Sequence, residues 1–98
     1  MGLFKSKEQK VDEFIANYME HHWFREGIPQ LRELYQGDEF NMVVYRGTRH
    51  SVETACQRLA IDKRLVVPPE IWYDYYWLMT ASRLGIDPNY TWPPKRKN

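Results

Sequence analysis

Ninety-eight residues leave room for one small domain with a modest core. Fourteen Lys and Arg against thirteen Asp and Glu give a net charge of +1, which excludes a histone-like or supercharged nucleic-acid binder. A mean hydropathy of −0.71, with Tyr75–Ser82 as the longest uncharged run, excludes an apolar span long enough for a bilayer, and a lone Cys56 excludes an internal disulfide framework or a cysteine zinc cage.

Met1–Lys10 holds three lysines and no apolar central stretch, so no secretory leader is expected, and the single cysteine fits a reducing compartment. The segment Met1-Gly2-Leu3-Phe4-Lys5-Ser6 matches the N-myristoylation pattern, making Gly2 a lipidation candidate. Lys5, Lys7 and Lys10 would supply the electrostatic second signal that a single acyl chain needs at a membrane. The alternative is that Ser6 is a helix cap and the match is chance.

The spacing predicts an all-α fold, a small bundle of three to four helices over 1–86, followed by an extended Pro-rich C-terminal arm over 87–98. Ser6 with Gln9 forms a capping box, in which the hydroxyl accepts an unpaired helix N–H and the amide reaches back to the cap. Val11, Phe14, Ile15, Tyr18, Met19 and His22 then follow on one face of a helix, with Gly27 as its stop. Pro29 opens a short second helix with Leu31, Leu34 and Tyr35 on its apolar side, closed by Gly37. Asp38 is the expected N-cap of a third helix carrying Phe40, Val43, Val44, Gly47, Ser51, Val52, Ala55, Cys56 and Leu59. Met42–Tyr45 also fits a short strand, but no partner strand is visible elsewhere. Gly47, Ser51 and Ala55, four residues apart, would let another helix approach closely. Val66-Val67 must be extended before Pro68-Pro69, and Pro69 starts a last helix through Ile71, Trp72, Tyr75, Leu78 and Met79. Gly85-Ile86 reads as a Schellman ending.

Little in this chain points to catalysis. His21 and His22 project about 100° apart on a helix and cannot share a metal. His50 has no second histidine near it in sequence, and Cys56 sits on an apolar face, where a thiol behaves as a small hydrophobe. The pairs Asp12-Glu13 and Asp38-Glu39 lie in charged, solvated contexts rather than the low-dielectric setting that raises an acid's pKa. The sequence therefore predicts no catalytic residue, no metal site and no cofactor. Lys95-Arg96-Lys97 is a basic tip of the kind that aids solubility.

The aromatic load is the strongest lead: four Trp, seven Tyr and four Phe. Trp72-Tyr73-Asp74-Tyr75-Tyr76-Trp77 places rings all round one helix, and a small domain buries only one side of it. Trp and Tyr anchor interfaces because each joins a large apolar body to a polar handle. Trp72, Tyr76, Trp77, Tyr90 and Trp92 are accordingly the expected partner-binding residues.

The segments Tyr45-Arg46-x-x-Arg49 and Lys63-Arg64-Leu65-Val66-Val67-Pro68-Pro69-Glu70-Ile71-Trp72 resemble the small matrix-side subunit 7 of the mitochondrial cytochrome bc1 complex. In that likeness Arg64 stands for the family's histidine and Val67 for its leucine. Pro68, Glu70 and Trp72 match directly. The likeness covers about a third of the chain. The family's charged C-terminal helix is replaced here by the aromatic helix and the Pro-rich arm. The resemblance implies an all-helical, non-catalytic accessory subunit without a cofactor, peripheral on the matrix side of the inner membrane. Its partners would be other subunits of a large membrane complex, with membrane surface or lipid head groups nearby and no nucleic acid. ATP synthase and complex I are the other candidate assemblies, and an N-myristoylated membrane-surface adaptor is the alternative function.

Overall fold

A computed structural model describes residues 5–94. The chain forms three rods and, among the described residues, no strand. The first rod is helix α1 (Lys7–Tyr18), a π-helix (Met19–Gly27) and α2 (Ile28–Leu34), continuous with one another. The second is α3 (Gly37–Lys63) and the third is α4 (Glu70–Leu84). The all-α expectation holds, including for Met42–Tyr45, which lies within α3.

Helix α1 starts as its capping box requires. Gln9 N donates to Ser6 Oγ at 3.1 Å, and Ser6 N donates to Gln9 Oε1 at 2.9 Å. Beyond Tyr18 the rod departs from the sequence expectation. Gly27 does not stop the helix, and its φ of −62° is helical. The buried residues of the rod are Val11, Ile15, Met19, Trp23 and Ile28, at spacings of four, four, four and five. A 3.6-residue turn would carry such a series progressively off the core. The wider i→i+5 turn of a π-helix brings it back, and Ile28 N accordingly donates to Trp23 O. The same rewinding turns His22 outward, where it is exposed and stacks on Tyr18 at 4.4 Å instead of lying on the apolar face.

Gly27 and Gly47 serve a steric purpose. A Cβ on Gly27 would lie 2.8 Å from Trp23 Cε3, and one on Gly47 2.6 Å from Trp23 Cη2. The small residue at 47 thus admits an indole from the π-helix: the room expected to let another helix approach α3 is taken at Gly47 by a large side chain. Thr80 Oγ1 of α4 accepts from Trp23 Nε1 at 3.2 Å and donates to Tyr76 O at 2.7 Å, so both buried polar groups are satisfied.

The core meets this rod from two sides. Helix α3 contributes Val44, Tyr45, Thr48, Val52, Ala55, Cys56 and Leu59, and α4 contributes Tyr76, Trp77, Thr80 and Ala81. Leu34, expected on the apolar side of α2, is 72% exposed, whereas Leu31 packs against the core. Asp38 is not a cap: Gln36 is the N-cap, and Asp38 lies in the first turn of α3, near the positive end of the helix dipole. Helix α3 ends at Arg64, held left-handed at φ 57°. Leu65 and Val67 then tuck against the core while Val66 points out, the alternation of an extended segment before two prolines.

Helix α4 closes as its sequence requires. Gly85 adopts φ 69°, and Ile86 N donates to Ala81 O at 2.9 Å, the long bond of a Schellman motif. The start of the arm is not extended. Asp87-Pro88-Asn89-Tyr90 makes a tight turn, in which Tyr90 N donates to Asp87 O at 3.0 Å and Asn89 N to Asp87 Oδ1 at 2.9 Å. Proline in the second place of such a turn supplies the φ it needs. The turn is fastened to the core: Trp77 Nε1 donates to Pro88 O at 2.9 Å, and the Tyr90 ring lies 5.8 Å from Tyr45 and 6.2 Å from Trp77.

Candidate functional site

Helix α4 divides its large side chains between two sides. Trp77 reaches inward and meets Tyr45 edge-on at 4.9 Å. Tyr76 is 2% exposed, and burial, the neighbouring Tyr75 and Asp12 hold its phenol up to about 12. The reason is positional: residues 73, 76, 77, 80 and 81 share the side that packs on α3 and the π-helix. Tyr76 and Trp77, expected from sequence to bind a partner, are therefore core residues. Tyr90 is half-buried against Tyr45 and Trp77. Trp72 is half-buried on the flank, and Trp92 stays 43% exposed.

The opposite side carries Ile71, Tyr75 and Leu78, which are 63%, 55% and 53% exposed. Spacings of four and three align them in one stripe along the helix. Sequence spacing marks Ile71 and Leu78 only as ordinary apolar positions of the last helix, and Tyr75 is not among the expected partner residues. A signal for the stripe is nonetheless present in the sequence: 71, 75 and 78 have the same period as 73, 76, 77 and 80 but sit half a turn away. Trp72 joins the two sides. Its ring lies 6.5 Å from Tyr75 and 6.3 Å from Tyr76, and Tyr75 meets Tyr76 edge-on at 5.0 Å. Trp72 Nε1 is buried and meets no acceptor among the described residues, unlike the indole N–H groups of Trp23 and Trp77.

Along the seam between α3 and α4, the Arg49 guanidinium lies over the rings of Tyr45 and Tyr73, 5.2 and 5.0 Å from their centres, and donates to Tyr45 Oη at 3.0 Å. Tyr73 Oη donates to Glu53 Oε2 at 2.6 Å, which pushes the Tyr73 phenol up to about 12. Arg49 and Glu53 thereby fix α4 against α3 from the solvent edge and hold the apolar stripe in a set orientation.

The residues with reactive potential do not converge. His21, His22 and His50 are exposed, and no group of three His, Cys, Asp or Glu side chains among the described residues is placed to hold a metal. Cys56 is buried, and burial together with Glu70 and Glu53 pushes its thiol up, away from the reactive thiolate. No helix among the described residues is long and apolar enough to cross a membrane. The lipidation candidate Gly2 and the basic tip Lys95-Arg96-Lys97 lie outside the described residues.

Compared with known proteins, the chain matches no family model, no curated protein and no solved structure. None of these comparisons bears on the resemblance drawn from Tyr45 to about Trp77.

Proposed function

We propose that this chain is a non-catalytic accessory subunit of a mitochondrial inner-membrane energy-converting complex, the cytochrome bc1 complex being favoured, which adheres to neighbouring subunits from the matrix side. The observation that carries the adhesive role is the Ile71-Tyr75-Leu78 stripe, three large side chains each more than half exposed on a helix whose other side buries Tyr76, Trp77, Thr80 and Ala81. Scattered exposed apolar residues are ordinary, but an aligned stripe with an aromatic at its centre is the form of a helix awaiting a neighbour. Trp92, exposed beyond the docked turn, offers a second anchor. The choice of assembly is supported by the basic-Pro-Glu-Trp likeness at Lys63–Trp72, the segment that leads directly into this stripe.

The test is to isolate the native membranes' complexes in mild detergent and follow this chain on a native gel. The expected result is comigration with the subunits of one respiratory complex, lost when Ile71→Gln and Leu78→Gln are combined. Migration of the natural chain as a free monomer in membrane and soluble fractions alike would refute the proposal.

A further inference from the structure

A different part of the molecule is marked by charge. The first turns of α1 and the end of α3 meet around an open groove of about 800 Å³. Lys7 and Lys10 line it from α1 and Lys63 from α3, while Phe14 and Leu65 give it apolar walls. Lys5 also lines it but is ion-paired with Glu13, which is itself on the rim. Glu8 is a further acid in the first turn of α1. Lys7, Lys10 and Lys63 make no ion pair among the described residues. Next to Lys63 in the chain Arg64 is exposed, and three residues beyond Lys63 the aliphatic side chain of Val66 stands 83% in solvent.

We infer that this end of the molecule seats on the surface of an anionic bilayer, with Lys7, Lys10 and Lys63 against lipid phosphates and Val66 at the acyl boundary. Three features select that occupant. Ammonium groups on long stems are mobile, strongly hydrated point charges, suited to a fluid array of phosphates. A site for one small phosphate would instead present a guanidinium fork or a nest of backbone N–H groups, but Arg64 does not line the groove, and the N–H groups at the start of α1 include one already held by Ser6. Finally, an exposed aliphatic side chain, Val66, three residues beyond Lys63 matches the layered chemistry of a lipid interface, apolar below and charged above. Seating on a bilayer goes beyond adhesion through α4 and uses none of its stripe residues, so the two fail separately.

The test uses the full chain, without an acyl group, and vesicles of phosphatidylcholine with or without phosphatidylserine. The expected result is binding to the anionic vesicles alone, weakened by salt. Changing Lys7, Lys10 and Lys63 together to Gln lowers the partition coefficient on the order of a hundredfold, roughly fivefold for each charge removed near the surface. The matching Lys→Arg triple keeps binding, and Arg32→Gln at the other end of the first rod leaves it unchanged. Circular dichroism of each variant checks folding, and the three single Lys→Gln changes repeat the measurement if the triple is not helical. Equal binding to neutral vesicles, no binding to anionic ones, or binding indifferent to the lysines overturns the inference. So does complete competition by inorganic phosphate, which would assign the groove to a small anion.

Discussion

The two sides of α4 have similar composition and opposite fates. Inward, Tyr76 and Trp77 are closed over by α3, the π-helix and the Asp87–Tyr90 turn, and Trp77's indole N–H has its acceptor. Outward, Ile71, Tyr75 and Leu78 each stand more than half in solvent, and at the flank Trp72's indole N–H is buried without an acceptor among the described residues. The difference teaches that ring count says how much apolar surface a helix carries, whereas the turn-by-turn position says whether the fold or a partner uses it. The inner side should govern stability and the outer side association, a division that substitutions on either side can break.

The largest effect is expected where the inner side meets the π-helix. Trp23 is almost fully buried, fills the space above Gly27 and Gly47, and bonds to Thr80. Trp23→Ala leaves a cavity and orphans Thr80's acceptor position, and should destabilise by about 3–5 kcal/mol. For a domain this size that is a large share of the total. Urea unfolding measures it, and a loss under about 1 kcal/mol would mean that the ring is not the keystone of the core. Gly47→Ala comes next. Alanine is the better helix former, yet its Cβ would sit 2.6 Å from Trp23 Cη2, and the ring, pressed against Gly27 as well, has nowhere to retreat. The expected loss is about 1–3 kcal/mol. It should shrink when Trp23→Phe is added, and strict additivity of the two changes would deny the contact.

Legibility in the sequence tracks the length scale of each signal. Ser6 with Gln9, Pro68-Pro69 before α4 and Gly85-Ile86 after it act within one turn, and each behaves as its chemistry dictates. The seven buried positions of α3 keep ordinary helical spacing, and five of them, Val44, Val52, Ala55, Cys56 and Leu59, are apolar-face positions on that spacing alone. Gly27 misleads because glycine has two uses. It ends helices through a left-handed φ, but here it keeps a helical φ and clears space for an indole, a role fixed by a residue on the same rod and invisible to local patterns. The π-helix is encoded in a single extra residue between Trp23 and Ile28, easily lost among charged neighbours. Asp87-Pro88-Asn89 is a turn signal in plain view, outweighed when three prolines are taken together as one extended arm. For the candidate site, ring composition points to the right helix but to the wrong side of it: Tyr76 and Trp77 for Ile71, Tyr75 and Leu78.

Alkaline titration sharpens the contrast between core and edge. Tyr73 and Tyr76 both hold their protons to about pH 12 in the folded chain, whereas an unfolded chain releases them near 10. Their contribution to stability is therefore complete below about pH 10 and is lost as pH rises toward 12. The causes differ: Tyr73 is held up chiefly by its bond to Glu53, Tyr76 chiefly by burial. Glu53→Gln should bring one phenolate transition down in pH and leave the other in place, followed by phenolate absorbance. Movement of both, or of neither, would show that α4's solvent edge and its core do not titrate independently.

The smallest effect on stability should come from the outer side, and its smallness is what the division requires. Ile71→Gln and Leu78→Gln remove apolar groups already more than half in water, and Gln is a good helix former, so each should shift the unfolding free energy by no more than about 0.5 kcal/mol. Tyr75 is the exception on this side, because its ring leans on Tyr76 and Trp72, and its removal should cost about 0.5–1.5 kcal/mol. The Ile71→Gln, Leu78→Gln double variant is thus a folded protein with its stripe erased. If it melts well below the natural chain, the stripe belongs to the fold after all, and the partner that the outer side of α4 calls for has no surface left to explain.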